Sequence, residues 1–324
     1  MAKSVDLTTL SGWSSLSSGS HNITIVAKAD GYKDSEPSAG VTVTKAPQEY
    51  NDCITFTGET SDFTLAVGSN GAKEWNGTVE YSTDHNTWTV WNGTAVSSVS
   101  GKLYLRGSGN TTFWTKYGAR FVLSAKAGCS GNLNTLLEHS NPPTKLSANC
   151  YYCMFRSCTN LTKAPSLPAT TLATMCYESM FYGCTNLATA PAELPATVAA
   201  ERCYEQMFRD CARLTTAPAL LATTLAGSDC YSNMFRGCTS LTTVPALPAT
   251  TLTTYCYQYM FYGCTSFKVS STQTGAYKYA WRIPTSGTAS SKTGWNDNML
   301  ANTGGTFKSN PSTNTTYYVE NAPV

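Results

Sequence analysis

From residue 150 onward the apolar positions fall in short clusters that return at a fixed interval. In Cys176, Met180, Phe181, Cys184 and Leu187 most neighbours are three to four residues apart, the spacing that puts side chains on one face of a short helical turn. The cluster restarts at Cys150, Cys176, Cys203, Cys230 and Cys256, in steps of 26, 27, 27 and 26. A second set, Cys158, Cys184, Cys211, Cys238 and Cys264, keeps the same steps, and Leu and Pro follow the first four of these at constant spacing. Self-similarity of this length predicts a stacked array in which each unit buries its apolar face against the next. Upstream, residues 50–127 alternate apolar and polar positions in CITFTGE, FTLAVGS, TVEYSTDHNTWTVWNGT, KLYLRGSG and RFVLSAK. With turn clusters at Ser69-Asn70-Gly71 and Asn92-Gly93, this predicts a small β-sandwich.

The pattern C-Y-x-x-M-F-x-x-C-x-x-L-x-x-x-P over roughly 129–268 resembles the BspA-like leucine-rich-repeat family in its Cys/Met/Phe form. Members occur on the surfaces of gut and mucosal bacteria and on the phages that infect them. The resemblance implies a right-handed solenoid with a short strand and a helical turn per coil, used for adhesion and without catalytic residues. Residues 1–47, including LSSGSHNITIVAKADGYKDSEPSAGVTVTKA, resemble the second half of an immunoglobulin-like or fibronectin-like domain. The expected fold class is therefore mainly β with short helical turns. A partial Ig-like β-module (1–47) and a β-sandwich (48–127) precede a leucine-rich-type α/β solenoid (128–324).

Weaker coils cap the predicted array. Cys129-Ser130-Gly131-Asn132-Leu133 echoes Cys158-Thr159-Asn160-Leu161 with one residue inserted. Trp295-Asn-Asp-Asn-Met299-Leu300 copies Cys256-Tyr-Gln-Tyr-Met260-Phe261, with Phe307 in place of the leucine, and 269–294 is read as an inserted loop.

Thirteen cysteines raise three options: reduced core residues, disulfides or a metal site. Cysteine packs as a small buried hydrophobe, and two ladders of reduced thiols explain the spacing best. Metal is the weakest option for the repeats, because the chain's histidines, His21, His85 and His139, all lie outside them. No cofactor or metal is expected. Cys153 stands outside both ladders, at a position held elsewhere by Ser179, Gln206, Asn233 and Tyr259. That variation reads as solvent exposure, and so does the variation one residue earlier (Tyr152, Glu178, Glu205, Ser232, Gln258).

With the first cysteine of each coil as position 0, position 6 carries Arg156, Tyr182, Arg209, Arg236 and Tyr262. Stacked, these form a stripe of guanidinium groups and phenols, which either pair with one another or bind sugar hydroxyls and acidic groups. Tyr151 and its equivalents read as packing residues. In the sandwich, Trp75, Trp88 and Trp91 are candidates for a glycan platform or for core.

Only 13% of residues are charged and the formal net charge is +2, which argues against nucleic acid as a partner. No run reaches the roughly 20 apolar residues of a membrane span. No secretory leader is expected, because the first residues contain no apolar core of roughly 7–15 residues.

The expected function is a non-enzymatic virion surface protein, a phage fibre, tail or capsid-decoration protein that binds host or mucosal glycan or protein receptors. A bacterial cell-surface adhesin is the alternative, and a carbohydrate-active enzyme is the weakest of the three. Residues 1–47 supply too few strands for a closed sandwich. They are read as the segment that attaches to a carrier protein or joins copies into a homo-oligomer, a trimer among the options. The segment made alone is expected to give no dispersed NMR spectrum of a folded monomer.

Overall fold

The computed structural model describes residues 19–23, 41–45, 50–68, 75–113 and 120–324. It is mainly β, with several small sheets, none closed into a barrel, and almost no helix among the described residues. Two compact units divide at Glu49/Tyr50. In the first, β1 (Gly19–Ile23) pairs antiparallel with β2 (Val41–Lys45). The remaining strands expected for 1–47 lie outside the described residues.

In the second unit, β3 (Ile54–Gly58), β5 (Thr78–Ser82), β6 (Thr89–Val90) and β8 (Lys102–Ser108) join β10 (Ala127–Gly131) and β11 (Leu161–Lys163). They form one six-stranded sheet in the order β11-β10-β3-β8-β5-β6. Strand β4 (Thr64–Val67) pairs with β7 (Val96–Ser97) on one side and β9 (Phe121–Leu123) on the other. Alternate residues of both sheets, among them Ile54, Phe56, Leu103, Leu65 and Phe121, enter a common core, as the period-two pattern predicts. Phe56 meets Phe63 at 6.5 Å and Phe121 at 6.3 Å between ring centroids.

This core continues without a break into the repeats, since β10 pairs antiparallel with β3 and parallel with β11. Its register corrects the alignment of the first coil. Ala127 stands opposite Leu161, and Asn132 opposite Ser166, so Leu133 is not the counterpart of Leu161. The echo around Cys129 is a coincidence of composition. A short 3₁₀ turn, Leu133–Leu136, follows it.

Each repeat opens with a turn segment that is not helical. Backbone φ is positive at positions −1, 3 and 7 of every coil: Asn149, Cys153 and Ser157 in the first, then Met175, Ser179 and Gly183, and onward to Gly294, Asn298 and Asn302. A left-handed residue every four positions breaks any helix and turns the segment into a chain of reverse turns. Even positions close i→i−3 bonds, such as Met154 N–H to Tyr151 O (3.2 Å) and Cys158 N–H to Phe155 O (2.9 Å). Odd positions donate to the next coil: Tyr151 N–H to Cys176 O (2.8 Å), Cys153 to Glu178 (3.0 Å), Phe155 to Met180 (2.9 Å) and Ser157 to Tyr182 (2.6 Å).

This bonding places equivalent side chains directly above one another. Tyr151, Tyr177, Tyr204, Tyr231 and Tyr257 stack at 5.4–5.9 Å, and Phe155, Phe181, Phe208, Phe235 and Phe261 at 5.4–5.7 Å. All thirteen cysteines are free and buried. In the second ladder the thiol donates to a phenylalanine carbonyl of the preceding coil, as from Cys184 to Phe155 O (2.9 Å) and from Cys238 to Phe208 O (3.0 Å). That carbonyl already accepts one backbone N–H, so the thiol occupies its second lone pair in a space too small for most polar side chains. Short parallel strands complete the coils, β12 (Glu193–Leu194) with β14 (Ala219–Leu220) and β13 (Val198–Ala199) with β15 (Thr224–Leu225).

The two-sheet region closes one end of the stack. Phe113 N–H donates to Cys150 O (2.7 Å), Phe121 N–H to Met154 O (2.8 Å), and the rings of Phe113 and Phe121 cover Tyr151 and Phe155. At the other end Trp295 occupies position 0 as expected, its carbonyl accepting from Tyr257 N–H (2.7 Å). Residues 269–294 do more than form a loop. Strands β16 (Lys268–Ser270) and β17 (Tyr279–Arg282) join β18 (Gly304–Gly305) and β19 (Thr316–Val319) in a four-stranded sheet, and Trp281 and Ile283 are buried.

Phe208 lies between Phe181 and Phe235, with no solvent to collapse into. Phe208→Ala is expected to cost about 3–5 kcal/mol in chemical denaturation, against less than ~0.5 kcal/mol for the exposed Thr216→Ala.

Candidate functional site

Position 6 lies one residue before the last left-handed residue of each turn segment, and its side chain is half-exposed in every coil. Tyr182 sits between two guanidinium groups, Arg156 at 4.7 Å and Arg209 at 5.2 Å from its ring centroid. Arg236 lies 4.9 Å from Tyr262 and 5.2 Å from Tyr259. The structure therefore brings together all five residues of the expected stripe and adds Tyr259.

Each arginine is steadied from position 3 of its own coil. Arg209 Nη1 donates to Gln206 Oε1 (3.2 Å), Arg236 Nη1 to Asn233 Oδ1 (3.3 Å), and Arg156 Nη1 to Cys153 Sγ (3.9 Å). Among the described residues, only Arg209 of the three has an ion-paired carboxylate, Asp210 at 3.6 Å. A guanidinium carries five N–H donors, and among the described residues most donors of the stripe have no protein acceptor, Arg209 Nε being itself buried.

Cys153 corrects the expected exposure of position 3. It is buried, and burial raises its thiol above the ordinary value against the opposing pull of Arg156. It is a packing residue that supports Arg156, not a reactive thiolate. The ladder thiols are raised by the same cause, Cys176 and Cys256 to about 12.

Position 2 corrects the reading in the same direction, because Glu178 and Glu205 are buried. Arg202, at position −1, bridges them: Nε donates to Glu205 Oε2 (2.6 Å) and Nη2 to Glu178 Oε1 (3.2 Å). Glu178 Oε2 is buried without a hydrogen-bond partner. Burial, then the negative charge of Glu205, pushes the Glu178 carboxyl up to about 7, with Arg202 pulling the other way.

The tryptophans do not form a platform. Trp75 and Trp91 stack on each other at 5.2 Å inside the core and offer no face to a sugar. Trp88 alone is half-exposed, covered on one side by Arg106 at 4.0 Å, which also pairs with Glu80. Near it lies a group that sequence reasoning missed. His85 stacks on Tyr50 at 3.5 Å, meets Tyr104 and Trp88 edge-on, and places Nε2 2.9 Å from Asp52 Oδ1. Cys53 completes the group, fully buried, its thiol raised to about 12 by burial and then by Asp52. A thiol held that firmly protonated is no nucleophile.

No helix among the described residues is long and apolar enough to cross a membrane. Comparison with protein-family models, characterised proteins and solved structures finds no significant match.

Because folding raises the Glu178 carboxyl above its unfolded value, the folded chain binds that proton more tightly. The resulting stability is present below pH about 4.5 and is lost as pH rises through about 7. In thermal unfolding between pH 5 and 8, Glu178→Gln is expected to flatten this decline, gaining about 1 kcal/mol over the parent at pH 8.

Proposed function

We propose that this chain is a non-enzymatic adhesion protein, carried on a phage particle, whose repeats form a leucine-rich-type solenoid with the Arg/Tyr stripe as its receptor-binding face. The observation that supports this most directly is the stripe itself. A rigid stack holds three half-exposed guanidinium groups and two phenols in one line, with Tyr259 beside them and most of their donors unpaired among the described residues. Phenol faces stack on sugar rings, and guanidinium forks chelate carboxylates or vicinal hydroxyls. An acidic glycan of several sugar units fits both the length and the chemistry.

The resemblance to BspA-like repeats points the same way. Residues 1–47, read as an Ig-like attachment segment, would link the solenoid to a virion carrier or to further copies. A cell-surface adhesin would use the same stripe, and immunogold labelling of particles against cells distinguishes the two carriers.

Replacing Arg156, Arg209 and Arg236 together by alanine is expected to weaken binding to immobilised acidic glycans or host cells at least tenfold. Arginine-to-lysine replacement should recover only part of that loss, since lysine lacks the bidentate fork. Thermal unfolding should shift by no more than a few degrees, because these side chains lie outside the core.

A further inference from the structure

We propose that Asp52, Cys53 and His85 bind a zinc ion at the entry to β3. One carboxylate oxygen, the thiol sulfur and an imidazole nitrogen lie within 4.8 Å of one another. A tetrahedral zinc with ligand bonds of about 2.0–2.3 Å needs such atoms about 3.5 Å apart, and Asp52 Oδ1 and His85 Nε2 are already at 2.9 Å. The adjustment that closes the 4.8 Å spread falls to Asp52, whose side chain is 40% exposed. Mixed sulfur, nitrogen and oxygen donors suit zinc over calcium or magnesium, which take oxygen alone. Three protein ligands leave the fourth position to water.

The scaffold is rigid where a metal site needs it. His85 is held in the left-handed region (φ 63°) by a turn in which its N–H donates to Ser82 Oγ (2.9 Å). Asp84 tightens that turn by accepting from the N–H groups of Asn86 and Thr87, both at 2.8 Å. Tyr50 then fixes the plane of the imidazole ring.

On binding, the zinc forms a bond to Cys53 Sγ as the thiol proton leaves to solvent, so affinity rises with pH. No electron is transferred and no other reactant is needed. The ion would tie Asp52-Cys53 to the loop between β5 and β6, three residues after the boundary with the N-terminal unit.

Chelator-treated protein titrated with Co(II) and with Zn(II) tests the site. One tightly held equivalent is expected, with near-ultraviolet thiolate-to-cobalt absorption that Cys53→Ser abolishes. His85→Gln should weaken binding at least tenfold, and zinc should raise the unfolding temperature of the parent but not of this variant. Failure of the parent to retain stoichiometric metal through gel filtration overturns the assignment. So does cobalt absorption that survives in a folded Cys53→Ser variant, since a ladder thiol would then be the ligand. Where Cys53→Ser does not fold, unchanged affinity in both His85→Gln and Asp52→Asn overturns it equally.

Discussion

The structure depends on one constraint, the division of backbone N–H groups between two directions. In the five full turn segments the even positions bond within the coil and the odd positions bond to the next coil. The left-handed residue at each fourth position makes this division geometrically possible, because it re-aims the chain before a helix can propagate. Everything else described for the repeats follows from it. Phenol and phenyl rings stack because their Cα atoms are held in register, and the second-ladder thiols reach a carbonyl because that register brings one within about 3 Å of them.

The same constraint turns chemistry at one position into a linear feature of the surface. Position 6 becomes a row of cations and aromatic rings, and position 2 becomes a row of polar groups of which Glu178, Glu205 and Ser232 are buried. Glu178 and Glu205 enter the interior only because Arg202 reaches both of them. A buried pair of this kind is weak evidence for added stability. What it provides is a preference for one pairing of neighbouring coils.

Much of this was legible from the chain itself, and its limits have physical reasons. The period, both cysteine ladders, the stripe and the Trp295 coil could be read because the repeats serve as an internal comparison. The turn segment was taken for a helix because nine residues do not separate a period of 3.6 from a period of four. The left-handed positions also include Met175, Arg202, Tyr255 and Tyr259, which carry none of the usual Gly or Asn signal. Variation at positions 2 and 3 was equated with exposure, whereas Cys153 is buried beside Arg156 of its own coil and Glu178 against Arg202 of the next, a pairing no single coil reveals. Cys53 and His85 lie 32 residues apart on different elements, and only strand pairing brings them together.

The odd-position donors all point the same way, from each coil toward the one that follows it in sequence. The stack of turn segments is therefore polar, ending in carbonyl acceptors at its first coil and in amide donors at its last. Its caps are chemically distinct: Phe113 and Phe121 supply N–H groups at the acceptor end, and the Trp295 coil needs a lid of acceptors. An array stripped of the Phe113 and Phe121 lid would present complementary faces, and the growth open to it is head-to-tail, into a filament and not a closed pair. That lid therefore blocks one of the two faces through which such a polymer would grow.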